Sequence, residues 1–325
     1  MFQAVVRTAS QLLQDLQRSL RRQRGSGHQT SAASSPSPPK YWPLERLLLT
    51  DSVSRTLFEE YATHRAELRG EEETGWVLLG LRGPREALVL ATLPAGALRD
   101  ASTAHVLFNS AAQALGSRIV RQADRRLAMI GVVHTHPGSL RHPTDGDYRG
   151  DSQWVKSLCE RKALRGGEGI FGIGTADGEL TADPTVAHQP RPHVQCLGEL
   201  RFSWYALGQD DAGYRPVPVE LTLGPDLARP LHDVWEVIEI HADRLDRLYR
   251  QQAGVIFQVV SGSRGPRLAV NVSVAEPDTV VRVLLDEKEV RYYLDRGGEW
   301  LAAGFSEDRV DRGVYLLLAD LAAQQ

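Results

Sequence analysis

Apolar positions along the chain fall into short runs, separated by stretches in which they recur at a helical period. TGWVLLGLRG and EALVLATLP read as strands split by the turn signal RGPRE. LAMIGVVHTHP (127–137) is a compact apolar run, the pattern of a buried strand. Residues 51–67 predict a helix with Val53, Leu57 and Tyr61 on one face and Asp51 or Ser52 as cap. Amphipathic helices are likewise predicted over 105–123 and 152–164, and GIFGIGTADG predicts a strand entering a turn. After a polar, Pro-rich excursion at 177–199, RFSWYALG and YRPVPVEL read as closing strands around a DDAG turn. Strand and helix therefore interleave through about residue 222, which predicts an α/β layer spanning 42–222.

Beyond Gly224 the pattern changes. A long helix (Leu231 to Gln252) is followed by four short strands, GVIFQVV, RLAVNVSV, TVVRVLLD and VRYYLD, and a last helix, VYLLLADLAAQQ. Residues 223–325 thus predict a smaller C-terminal α+β domain. At the other end, Val5, Leu12, Leu13, Leu16 and Leu20 give residues 1–24 an amphipathic helix, and the Ser-, Pro- and Gly-rich 25–41 reads as a flexible linker.

Composition narrows the function classes. A chain 42% hydrophobic and 24% charged can bury a sizeable core. A net charge of −3 offers no global attraction for nucleic acid or an anionic membrane, and neither is predicted as a partner. No apolar stretch approaches the ~20 residues a membrane span needs, and the N-terminus lacks the order of a secretory signal. Cys159 and Cys196 make neither a CxxC nor a disulfide framework, so they read as two reduced thiols. Together these features predict a soluble, cytoplasmic protein.

The chemistry gathers in HTHPGSLRHPTDGD, residues 134–147. His134 and His136, two apart at a strand end, point to the same side and offer two imidazoles to one ion. Pro137 stops the strand and Gly138 permits a sharp turn. The loop returns to Thr144-Asp-Gly-Asp147, which is also a capping pattern with Thr144 as N-cap. Two imidazoles and one carboxylate would leave a fourth position for water, the arrangement of a catalytic zinc site.

The full spacing, His-x-His-Pro, six residues, Thr, two residues, Asp, resembles the signature of the JAMM (MPN+) metalloprotease family, of the bacterial, deubiquitinase-like type. That family carries an upstream glutamate in a Glu-x-Gly-x-x-Leu-x-Gly context, matched by Glu73-Thr-Gly-Trp-Val-Leu-Leu-Gly80, about 60 residues earlier. Two departures stand out: Thr144 replaces the usual serine, and Trp76 stands where many bacterial members have a second glycine. With strand alternation, Trp76 faces away from Glu73 and into the core. The resemblance implies an MPN-type (cytidine-deaminase-like) mixed sheet flanked by helices over 42–222, with one Zn²⁺ per chain held by His134, His136 and Asp147. It also implies Glu73 as general base and acid through the bound water, and the Thr144 hydroxyl as support for the oxyanion.

The activity so implied is zinc-dependent cleavage of the peptide or isopeptide bond after the C-terminal glycine of a ubiquitin-like protein, in deconjugation or precursor processing. Such a protein would work beside the modifier's activating and conjugating enzymes. The modifier's tail would add to a strand edge beside the zinc, and the excursions at 98–106 and 177–199, which flank the motif strands, would grip the modifier or its target. Two alternatives remain: a JAMM hydrolase of small peptides or amino-acid adducts, and a non-catalytic MPN-type binding scaffold. Glu71 and Glu72 compete with Glu73 for the base, and Asp145 and Asp151 with Asp147, although the motif spacing favours Glu73 and Asp147. His142 reads as a loop residue. His232 and His241, nine apart, do not make an HExxH site and read as an exposed helical face.

Overall fold

A computed structural model describes residues 41–323 apart from 104, 162, 179–182, 184, 264 and 275–278. The N-terminal helix predicted over 1–24, and all of the linker but its last residue, lie outside the described residues. In chain order the elements begin with β1 (Arg46–Thr50), α1 (Asp51–Arg65), β2 (Gly75–Arg82), β3 (Glu86–Pro94), β4 (Asp100–Ala101), β5 (Val106–Leu107) and α2 (Ser110–Arg121). Then come β6 (Ala128–Thr135), α3 (Asp145–Glu160), β7 (Glu168–Thr175), β8 (His188–Arg191), β9 (Val194–Leu197), β10 (Leu200–Gly208), β11 (Arg215–Pro216) and β12 (Val219–Thr222). The chain closes with α4 (Arg229–His232), α5 (Trp235–Gln251), β13 (Val255–Gly262), β14 (Gly265–Ser273), β15 (Thr279–Leu285), β16 (Val290–Arg296), β17 (Glu299–Ala302) and α6 (Val310–Ala323). No helix among the described residues is long and apolar enough to cross a membrane.

The architecture is mixed α/β. One compact unit comprises the described residues up to Thr92 with 101–105 and 126–227; the other comprises 93–100, 106–125 and the residues from Ala228 onward. The segments 93–100 and 106–125, which sequence order places in the 42–222 layer, thus cluster with the C-terminal residues. The reason lies on α2. Its Gly116 sits so close to the Trp235 ring of α5 that a Cβ there would come within 2.8 Å of it.

In the first unit the sheet runs β12-β1-β3-β2-β6-β7-β10-β9-β8, with β11 paired to β10. Pairings of both senses occur: β1 lies parallel to β3 and β12, and β6 parallel to β7, whereas β2–β6, β7–β10, β10–β9 and β9–β8 are antiparallel. Leu47, Leu49, Phe58, Trp76, Phe202 and Trp204 fill the core on one face. Trp76 is fully buried there and donates its Nε1–H to Glu60 Oε2 at 2.7 Å, so it faces the core as alternation predicts. On the other face, Val155 of α3 packs with Phe171 and Leu207. Gly80, the last residue of the upstream motif, permits close strand approach: a Cβ would lie 2.0 Å from the Leu88 carbonyl oxygen.

Several boundaries differ from the pattern-based expectations. Thr50, not Asp51 or Ser52, caps α1 by accepting from the Val53 amide. α2 starts only at Ser110, where the Asn109 side chain accepts from the amides of Ala111 and Ala112. α3 begins seven residues early, at Asp145, because a complete capping box nucleates a turn that carries little apolar signal. The Pro-rich excursion holds the β8–β9 hairpin.

In the second unit an antiparallel sheet is ordered β13-β14-β15-β16-β17. β17 escaped prediction because all four of its residues are exposed and show no alternation. The helix expected at 231–252 is split into α4 and α5. His241 is buried on α5, correcting its reading as exposed.

Candidate metal centre

The trio arises from a strand end and a helix start. β6 delivers His134 and, one residue past its end, His136, whose amide bonds the Gly174 carbonyl of neighbouring β7 at 2.8 Å. Pro137 then ends the strand and Gly138 turns the chain at φ +70°. Thr144 starts α3 as its N-cap and Asp147 occupies the third helical position. A strand end and a capped first turn are both rigid mounts.

The ligating atoms converge. His134 Nε2 lies 3.0 Å from His136 Nε2 and 3.2 Å from Asp147 Oδ1, while His136 Nε2 is 3.3 Å from Asp147 Oδ2. A tetrahedral ion with bonds of ~2.0–2.1 Å requires donor–donor edges of ~3.3–3.4 Å, so the spacing suits such an ion. The three residues could therefore hold a metal ion. His136 Nδ1 lies 2.8 Å from the Leu140 carbonyl, which can only accept. Nδ1 therefore carries the hydrogen, and in the neutral ring Nε2 keeps its lone pair for a ligand.

Electrostatics in this metal-free arrangement follow from the same contacts. Burial pushes the Asp147 carboxyl up, but hydrogen bonds from His134, His136 and the Thr144 amide outweigh it and hold the carboxyl far below the usual range. Burial lowers His136, yet Asp147 and the Leu140 carbonyl together leave it raised.

Glu73 precedes β2, whose register pairs Gly75 with His134. The amide of Thr135 donates to the Thr74 carbonyl at 2.9 Å, and the Thr74 amide to Thr135 Oγ1 at 2.9 Å, locking the two segments together. Continuing that register puts Glu73 opposite His136. Its amide donates to the Ser102 carbonyl at 2.7 Å, so Ser102 flanks it. Burial raises the Glu73 carboxyl, opposed by His134 and His136 within electrostatic reach. Of the three consecutive glutamates only Glu73 is buried: Glu71 is exposed and Glu72 pairs with Arg69 at 2.6 Å.

Thr144 and Asp147 share two functions. The Thr144 hydroxyl donates to Asp147 Oδ2 at 2.7 Å and accepts from the Asp147 amide at 3.1 Å, while the Thr144 amide donates to Oδ2 at 2.6 Å. The helix cap and the carboxylate donor are one structure. Asp145 is exposed and lies outside the trio. His142 donates from Nδ1 to the Tyr205 hydroxyl at 2.8 Å, which itself donates to the Arg141 carbonyl at 3.1 Å. It is a tethered loop residue.

Asp151 is the carboxylate whose role the sequence left undefined. It lies one helical turn beyond Asp147, accepts from the Tyr214 hydroxyl at 2.7 Å and is pushed up to about 6 by burial, against the pull of Tyr214 and His134. The i, i+4 spacing was the available signal. A carboxyl raised in the folded state favours folding below its ordinary value near 3.8, and that advantage is lost as pH rises through 6. The difference amounts to about 3 kcal/mol. In metal-stripped protein, Asp151→Asn should therefore unfold at a higher temperature than wild type at pH 7 and with little difference at pH 4. Thermal unfolding at the two pH values checks this; an equal gap at both would refute it.

No model of a known protein family matches the sequence, and no curated protein is similar to it. Among solved structures, protein DSY2949 of Desulfitobacterium hafniense, determined in solution, is similar at 18% identity. The match covers 55% of this chain and 95% of that chain, with a TM-score of 0.36. What the site can do chemically therefore rests on its own geometry.

Proposed function

We propose that the chain is a zinc-dependent hydrolase of the JAMM (MPN+) type, cleaving the peptide or isopeptide bond after the C-terminal glycine of a ubiquitin-like protein. The observation that carries this reading is a donor trio at 3.0–3.3 Å spacing with a buried carboxyl, Glu73, inside its electrostatic reach. Nitrogen-rich donors favour zinc over calcium or magnesium, which prefer oxygen. When bound, the ion supplies a Lewis acid that brings the pKa of water toward ~7.

The chain's own residues supply the rest. Glu73 takes a proton on a carboxylate oxygen as attack begins and returns it to the leaving amine. A carboxyl raised by burial suits that exchange, because it holds a proton more readily than an exposed glutamate. Thr144 carries a hydroxyl for the developing oxyanion. Turning from Asp147 releases its hydrogen, and the Thr144 amide keeps its bond to Oδ2 meanwhile. β6 has neighbours on both sides, so an incoming tail cannot add to it. We assign the tail instead to the segment around Ser102, whose carbonyl accepts from the Glu73 amide.

The test offers the full chain a ubiquitin-like protein with a C-terminal extension. Cleavage after the terminal glycine is expected, with loss on chelation and return on adding zinc. Zinc binding without cleavage of any such substrate or of short glycine-ended peptides would favour the scaffold reading.

A further inference from the structure

Arg201 on β10 is only 5% exposed, yet no carboxylate lies within ion-pair distance of it among the described residues. Among the described residues its side-chain bond runs from Nε to Ser203 Oγ at 3.1 Å. A buried cation held by one neutral hydroxyl has two hydrogen-bonding edges left to satisfy, which is costly unless a ligand supplies acceptors.

The surroundings increase that demand. Arg191 and Arg201 both lower His193, and Arg201 acts on Tyr205. Asp177 is the acidic group within reach, and both its oxygens are engaged, accepting from Thr175 Oγ1 at 2.6 Å and from Arg141 Nε at 2.5 Å. Asp177 thus balances Arg141, and among the described residues Arg191 and Arg201 have no further acidic partner within ion-pair distance.

Register places this cluster relative to the metal centre. His134 pairs with Ile173, which pairs with Ser203, and Arg201 pairs with Thr175 one row further along. In-register side chains share a face, so Arg201 stands on the face of His134, two strands away. Two strand spacings across and one row along come to about 12 Å, or three to four residues of an extended peptide.

We propose that Arg201 is a specificity-determining residue that binds a substrate carboxylate, an acidic side chain about three to four residues from the bond cleaved at the metal centre; this rests on the hydrolase reading above. The bidentate guanidinium edge matches a carboxylate, and a lysine ammonium would not reproduce it.

Labelled peptides of about ten residues, each with an internal Gly-Gly, provide the test. A single glutamate is moved through the positions flanking Gly-Gly, each peptide matched by its glutamine twin. Binding is read by fluorescence anisotropy on the zinc-loaded full chain carrying Glu73→Ala, and cleavage on wild type. One position is expected to favour glutamate over glutamine by about tenfold or more in binding. Arg201→Gln should abolish that preference and Arg201→Lys keep part of it. Each variant is also required to bind one zinc ion and to unfold cooperatively like wild type, so that a lost preference reports the side chain and not the fold. Equal binding of the twins at every position, or a preference that survives in Arg201→Gln, overturns the proposal. A glutamate preference that needs Arg201, without cleavage of any peptide or of the extended ubiquitin-like protein, keeps the carboxylate site and overturns the hydrolase reading.

Discussion

Glu73→Gln is expected to slow cleavage by about a thousandfold or more while leaving one zinc ion per chain. General acid–base catalysis contributes typically 10²–10⁴-fold, and here one carboxyl is assigned both proton transfers. Glutamine keeps the size and the hydrogen-bonding ends but can neither take the proton nor return it. Metal content should not change, because the trio comprises His134, His136 and Asp147 only. Glu72→Gln serves as the control: that carboxylate pairs with Arg69, and its loss should leave the rate within about twofold. The measurement is a cleavage rate alongside metal analysis of the same preparations. Undiminished cleavage by Glu73→Gln would place the proton carrier elsewhere.

Much of the fold around this site was legible because its signals are local. The apolar run over 127–137 became β6, and two strands split by RGPRE became β2 and β3. Thr144 and Asp147 announced both a cap and a donor, and the structure joins them in one capping box. Long-range facts were not legible. Nothing in the local pattern of 105–123 says that its apolar face meets Trp235, because that contact depends on a partner more than a hundred residues away. The competition among Glu71, Glu72 and Glu73 was open to motif spacing alone, and burial separates them.

Arg201 illustrates a third kind of signal. Along β10, Arg201, Ser203 and Tyr205 alternate with Phe202 and Trp204, a pattern that reads as an ordinary two-faced strand. The sequence shows that a polar face exists. Only the fold shows that this face is the one shared with His134, and that the arginine on it is buried without an ion-paired carboxylate among the described residues.

His136→Ala is expected to abolish zinc binding, cleavage and zinc-induced stabilisation together. A ligand that binds only the folded state stabilises it by RT ln(1 + [L]/Kd), about 2.7 kcal/mol at a hundredfold excess over Kd. Wild type stripped of metal should therefore unfold at a clearly higher temperature once zinc is restored, whereas His136→Ala should show no rise. Its remaining donors, one imidazole and one carboxylate, hold zinc too weakly to count at micromolar metal. Proton linkage adds a second signature. Asp147 raises His136 in the metal-free state, and a protonated imidazole cannot ligate, so zinc affinity should weaken as pH falls, beginning above the ordinary histidine value of 6.5. Asp147→Asn removes the anion that favours the protonated ring and leaves the amide oxygen to accept the cap bonds. It should thus lose zinc while α3 still starts at Asp145, a separation that circular dichroism and metal analysis on one sample can read. A rise in unfolding temperature with zinc in His136→Ala equal to that of wild type would show that the ion binds elsewhere.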